Sequence, residues 1–189
     1  MLASSNPHKI WVFGEASKVA YGICVNVHDA VNKHTELLLS RGHLLSQNKT
    51  ILELELVAAT LTVDTYVKIR DSLPFIPAQV RFFTDPQVTW HRIQADANKF
   101  AAFVMNRVRR IQASSSPAQW YFIPGKVIPA DLVSRGTLIC HLIASDLWAH
   151  GPSLEDISGV EQQTALLSCE PPLVHSINRR HHRTATRGH

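Results

Sequence analysis

No stretch of the 189-residue chain approaches the run of about 18 apolar residues that a membrane-spanning helix requires. The opening MLASSNPHKI also lacks the apolar core of a signal peptide, so the expected setting is intracellular, a cytoplasmic particle or the nucleus, with no membrane partner. Cysteine is scarce: Cys24, Cys140 and Cys169 are an odd set with no close ligand spacing, which points away from both a disulfide framework and a zinc site. Histidine is less scarce, but its densest group (His175, His181, His182, His189) lies at the tail without a cysteine pair beside it. No internal repeat or low-complexity tract interrupts the chain.

Excess charge is lacking too, once it is located. The formal net charge of +4 resides in the stretch NRRHHRTATRGH, whose Arg179, Arg180, Arg183 and Arg187 stand without an acid; the remainder balances 15 basic against 15 acidic residues. That stretch reads as a separate basic arm, and solvation, linkage and phosphate binding all fit it.

What is present is enough apolar content, 45%, for one ordinary core. Ile10 to Gly14 and Val19 to Val27 are β-rich runs joined by a short polar turn, and Glu36 to Ser40 can extend them into a meander. From Thr50 to about Ile69 the apolar period becomes helical, with Leu54, Val57, Ala58, Leu61 and Thr65 on one face. A strand at Val80 to Thr84, a short helix at Pro86 to Gln94 and a longer one at Asn98 to Gln112 follow. A strand at Gln119 to Ile123 and a helix starting near Pro129 and Ala130, limited by Gly136, complete the pattern. The order predicts an α/β fold. Its mixed five-stranded sheet, a three-strand antiparallel meander plus two parallel crossover strands, is flanked by helices. The expected organisation is an N-terminal extension over 1–9, one domain over 10–155, and a linker with a disordered basic tail over 156–189.

Two strands run straight into acids, IWVFG into Glu15 and VRFFT into Asp85. If those strands are parallel neighbours, both carboxylates reach the carboxyl edge, where sites form in α/β sheets. Glu55 opens the strongest helix, and Asp131 follows Pro129 at another helix start. Position alone leaves two readings open, because strand-end acids are ordinary turn residues and first-turn acids answer the helix dipole.

The surroundings of all four acids resemble one family. WVFGEASKVAYG (Trp11 to Gly22) is similar to the first motif of the Pao/BEL retrotransposon ribonuclease H domain, a hydrophobic strand followed by C-D-A-S and A-Y-G. ILELELVAA (Ile51 to Ala59) resembles its I-P-R-L-E-L-x-A-A helix, and VRFFTDPQVTWHRI (Val80 to Ile93) its V-x-F-W-S-D-S-Q-V-x-L-x-W-I. FVMNRVRRIQ (Phe103 to Gln112) and QWYFIPGKVIPADLVSRG (Gln119 to Gly136) resemble F-V-x-N-R-V-x-x-I and W-R-H-V-P-G-K-E-N-P-A-D-L-x-S-R-G. SDLWAHGPSLE (Ser145 to Glu155) matches the L-W-x-x-G-P segment beyond. These motifs fall in family order over residues 10 to 155.

The resemblance implies a ribonuclease H-like fold and metal-dependent hydrolysis of the RNA strand of RNA:DNA hybrids during reverse transcription. Its catalytic and metal-holding set, carried over position by position, is Glu15, Glu55, Asp85 and Asp131. The cofactor implied is two Mg²⁺ ions, with Mn²⁺ as substitute, held about 3.5 to 4 Å apart by hard carboxylate oxygens. The implied partners are the hybrid and the reverse transcriptase and integrase regions of the same polyprotein. Lys126 and Arg135 fall at motif positions beside the acids and are candidate phosphate contacts. Arg107, Arg109 and Arg110 also qualify, although a solvated helix face explains them equally well. Trp90 and Trp120 read as core.

This sequence departs from the family at the first acid, where Glu15 replaces Asp; a misplacement of about 1 Å can cost on the order of 10²-fold in rate. Pro86 replaces Ser, Phe122 replaces His, and Val127 and Ile128 replace Glu and Asn. A second expectation therefore stands beside the nuclease: a catalytically inactive ribonuclease H-fold module with a nucleic-acid-binding or structural role in the polyprotein. A third, an unrelated α/β protein, would be supported by Glu15 and Asp85 at opposite ends of the sheet.

Overall fold

The computed structural model describes residues 7–45 and 49–169 of the chain, so the expectations for the basic arm and the tail histidines lie outside the described residues. Five strands, β1 (His8–Ala16), β2 (Ala20–Asp29), β3 (His34–Leu44), β4 (Gln79–Thr84) and β5 (Trp120–Phe122), form one sheet in the order β3-β2-β1-β4-β5. The β1/β2 and β2/β3 pairs are antiparallel and the β1/β4 and β4/β5 pairs parallel, as the expected meander and crossover strands require. Helices α1 (Ile51–Arg70), α2 (Gln87–Gln94), α3 (Ala102–Ser114), α4 (Pro129–Arg135), α5 (Ile139–Ile143), α6 (Asp146–His150) and α7 (Leu154–Cys169) surround it.

Strand β1 is central and covered on both faces, which is why Ile10 through Ala16 are buried without alternation. Its even-numbered side chains, Ile10 and Val12, join Ile23, Val25, Leu56, Val63, Phe82, Val108 and Ile111 in a core under α1 and α3. Its odd-numbered side chains, Trp11 and Phe13, join Cys24, Phe83, Ile123, Ile128, Ile157 and Val160 on the opposite face. Trp90 and Trp120 are buried as expected, the Trp90 indole donating to the Trp120 carbonyl at 2.9 Å.

Two glycines set how closely the helices approach. A Cβ at Gly14 would overlap the Thr62 side chain of α1, and one at Gly22 would overlap the Ala130 carbonyl of α4. Gly22 pairs with Glu15, one position along from Gly14, so α1 and α4 close on the end of β1 from opposite faces. Helix α1 begins with a capping box, Thr50 accepting from the Glu53 N–H while the Glu53 carboxylate accepts from the Thr50 N–H.

Some boundaries differ from the sequence pattern. The helix expected from Asn98 is split, because the Asp96 carboxylate accepts from both the Asn98 N–H and its side-chain amide at 3.0 and 2.9 Å and holds a separate 3-10 turn. Strand β3 is longer than the apolar run ELLLS, since pairing with β2 carries polar residues along with it. The expected domain end at residue 155 falls in the first turn of α7, most of which lies beyond the motif resemblance. Its Ile157 and Val160 are buried against the Trp11 face, Glu161 pairs with Arg81, and Thr164 Oγ1 accepts the Phe122 N–H at 3.2 Å.

The two kinds of glycine should respond oppositely to a methyl group. Gly22→Ala, pressed against backbone, is expected to lower unfolding free energy by about 2 kcal/mol or more. Gly159→Ala, which meets nothing within 4 Å on α7, is expected to raise it by about 0.5 to 1 kcal/mol. Urea titration of the three proteins measures both.

Candidate active site

The parallel register places Phe13 beside Phe83, so Glu15 and Asp85 stand two residues further along adjacent strands, at the same edge of the sheet. The unrelated-protein reading, which opposite ends would have supported, gains nothing from this geometry. Glu55 comes to the same edge from the first turns of α1. The ordinary explanation for an acid there is taken by its neighbour: Glu53 is the capping residue, whereas Glu55 is 6% exposed and accepts from the Ala16 N–H at the end of β1. Asp131, in the first turn of α4, arrives from the opposite face where Gly22 admits that helix.

The four carboxyls feel one another. Burial first, then the charges of Glu55, Asp85 and Asp131, push the Glu15 carboxyl up to about 9. Glu55 is pushed up to about 7, by burial and by Asp85 and Asp131, against the lowering effect of the Ala16 N–H and a hydrogen bond shared with Glu15. Asp85 is raised by burial and by Asp131, while the Gly125 N–H and Arg135 hold it down. Asp131 is bound by Arg135 one helical turn later, at 2.6 Å.

Positioning residues surround this quartet. Gly125 leaves room for Asp85, whose Oδ2 would stand 2.7 Å from a Cβ at that position. Ser17 went unnoticed in the sequence. Its hydroxyl accepts from the Val19 and Ala20 N–H groups and donates to the Ser134 carbonyl at 2.6 Å, tying the β1–β2 turn to α4. The signal was a small polar residue two positions after the first acid, in a turn that such residues stabilise.

Of the expected substrate contacts, Lys126 is exposed in the turn that begins at Gly125, and Arg135 is exposed while bound to Asp131. Arg110 is engaged elsewhere, gripping both oxygens of Asp64 on α1 at 3.0 and 2.8 Å. Arg107 lies over the Phe103 ring at 3.5 Å and donates to the Phe103 carbonyl, and Arg109 donates to Asn98. Phe122 and Ile128 are 8% and 0% exposed, so these two departures from the family motif are core residues here.

Whether the quartet fits divalent metal is answered by its unused atoms. Glu15 Oε2 and Glu55 Oε2 are both buried without a hydrogen-bond partner, and two orphaned carboxylate oxygens on facing elements are what a hard cation would satisfy. Among the described residues, however, no group of three or more His, Cys, Asp or Glu side chains is disposed to hold an ion as it stands. Glu15 is hydrogen-bonded to Glu55, Asp85 to the Gly125 N–H and Asp131 to Arg135, and these contacts would have to rearrange in part for the four to share an ion.

The sheet order and the position of its helices define a ribonuclease H-like fold. Residues 2–86 match the model of the Pao retrotransposon-like RNaseH-like domain family, and over that segment the chain is similar to the family. The matched segment holds Glu15, Glu55 and Asp85; Asp131 lies beyond it. No curated protein matches the sequence. Among solved structures, the chain is similar to the N-terminal ribonuclease H domain of a Mycobacterium tuberculosis protein fused to maltose-binding protein. The identity is 12% and the TM-score 0.41, with 82% of this chain and 96% of that one covered. It is also similar to the NurA nuclease of Sulfolobus solfataricus, at 13% identity and a TM-score of 0.38, covering 81% of this chain and 54% of that one. Among the described residues no helix is long and apolar enough to cross a membrane.

The raised carboxyls have a consequence for stability. Glu15 titrates near 4.5 when unfolded and about 9 when folded, so between those values the folded state binds the extra proton. Its contribution is fully present below about 4.5 and lost as pH rises through about 9, with Glu55 acting the same way up to about 7. In EDTA, the urea midpoint of the native chain relative to Glu15→Gln should therefore fall as pH is raised from 5 to 9. A difference that is flat or rises with pH contradicts the burial of this carboxyl. Saturating Mg²⁺ should lift the native midpoint most at the alkaline end.

Proposed function

We propose that this domain hydrolyses the RNA strand of RNA:DNA hybrids, with Glu15, Glu55, Asp85 and Asp131 holding two Mg²⁺ ions, or Mn²⁺ in their place. The observation that carries the reading is the convergence of four carboxylates from β1, α1, β4 and α4 on one sheet edge, two of them with buried unpartnered oxygens. Hard divalent cations bound there would supply the positive charge that phosphodiester hydrolysis requires. The chain's own residues do the rest. Glu55 and Glu15 hold their oxygens toward each other, Gly125 and its N–H orient Asp85, and Ser17 keeps α4 and Asp131 in register with β1. Lys126 and Arg135 flank the edge as phosphate contacts that orient a hybrid without reading its sequence. The reverse transcriptase of the same polyprotein would supply the hybrid, and the integrase region would be a further neighbour.

One observation favours a second reading, a silent nucleic-acid-binding or structural module. Arg135 already pairs with Asp131, and Glu15 carries one methylene more than the family's aspartate, so one acid of the quartet is neutralised without metal.

Cleavage of a labelled RNA:DNA hybrid in Mg²⁺ or Mn²⁺ by the native chain, Glu15→Asp and Asp85→Asn separates the two. The nuclease reading expects cleavage by the native chain, lost at least 10²-fold in Asp85→Asn and raised in Glu15→Asp. Cleavage only by Glu15→Asp would mean that one methylene disables a sound site. Silence of both folded proteins would leave the module.

A further inference from the structure

A cleft away from the carboxylate edge stands out among the described residues. It is a groove of about 280 Å³ on the α1 side of the sheet, lined by Tyr21, Ile23, Arg41, His43, Val57, Leu61, Asp64, Thr65 and Lys68. It exists because the sheet is wider than the helix that covers it. Helix α1 sits over β1 and β2, and the inner face of β3 beyond Leu39 is left open. Arg41 pairs with Ile23 and His43 with Tyr21, so both side chains of β3 stand on the same face as the apolar floor.

Charge in the groove is one-sided. Its single acid, Asp64, is taken on both oxygens by Arg110 from α3. Arg41 and Lys68, on opposite walls, are exposed and form no ion pair among the described residues. The remaining wall is aromatic: the Tyr21 and His43 rings lie 7° from parallel with centroids 6.5 Å apart. Tyr21 is also opposite Ala16, the residue after Glu15, so this end of the groove opens next to the carboxylate edge.

From these features we infer that the groove binds a unit of single-stranded nucleic acid, its base against the exposed His43 ring, which the buried Tyr21 backs, and its phosphates against Arg41 and Lys68. Unpaired cations match the backbone charge, and aromatic rings beside an apolar floor accept any base by its flat face. An acidic peptide would use the cations alone and leave the rings and the floor idle. The site rests on the nucleic-acid reading above and extends it: a strand leaving the carboxylate edge would enter the groove at Tyr21.

The test is binding of labelled single-stranded oligothymidylate to the full chain in EDTA, where the carboxylates play no part, with a labelled poly-glutamate peptide as comparison. Arg41→Glu with Lys68→Glu is expected to weaken oligonucleotide binding at least tenfold and to reduce the salt slope by about 1.4, the share of two phosphates on a single strand. His43→Ala should weaken it about three- to tenfold without changing that slope. Lys33→Glu with Lys99→Glu, equal in charge but outside the groove, should change it less than threefold. All these positions are exposed, and matching urea midpoints would establish that each variant is folded. Equal losses from both charge reversals, or poly-glutamate bound as tightly with the same dependence on Arg41 and Lys68, would overturn the proposal. Because metal is excluded, a chain that cleaves no hybrid can still pass this test, and a cleaving one can fail it.

Discussion

Everything at the functional edge depends on two places where a side chain is missing. Gly14 and Gly22 allow α1 and α4 to lie against β1 and β2 more closely than any Cβ would permit, and they do so from opposite faces at adjacent register positions. A strand end flanked in this way has its terminal carboxylate enclosed by two helix starts. Glu15 cannot escape into water because Glu55 and Asp131 arrive on helices whose spacing from the sheet is fixed by backbone contact. The burial of the first two acids follows from packing, and their altered proton affinity follows from burial.

That chain of causes explains why the site is costly and how the fold carries the cost. Like charges brought out of water raise one another's proton affinity, so without a cation the edge is held together partly by shared protons and partly by Arg135. The neighbouring scaffold is correspondingly over-determined. Ser17 makes three strong contacts within and beyond its turn, and the Trp90 and Trp120 indoles hydrogen-bond in series toward Ser115. The carboxylate edge and the groove lie on different parts of this scaffold, one at the strand ends and one beside α1.

The sheet order was legible because each strand carried its own signal: a continuous apolar run for the doubly covered β1 and a switch of period at Thr50 for α1. The acids were legible only with their surroundings. Position suggested Asp85 and Glu15 as candidates once their strands could be taken as parallel neighbours, Glu55 became one through the motif around it, and the structure adds that the capping box is made by Thr50 and Glu53 instead. Ser17 and the close-approach glycines were not legible, since their roles are contacts with Ser134, Thr62 and Ala130, far away in sequence. Arg110 illustrates the converse: its spacing on α3 suited a phosphate contact, but Asp64 on another helix claims it. The groove had no sequence signature at all, because it is a mismatch in width between a sheet and a helix.

Helix α7 carries a practical lesson for anyone expressing this chain in pieces. Its Ile157 and Val160 seal the Trp11 face, and its Thr164 answers an N–H of the three-residue strand β5. A fragment ended at residue 155, where the recognisable motifs stop, would lay open an aromatic sheet face and the edge of its shortest strand, inviting aggregation during expression. The working boundary of this domain is therefore set by what shields β5, and a soluble fragment should retain the chain through Cys169.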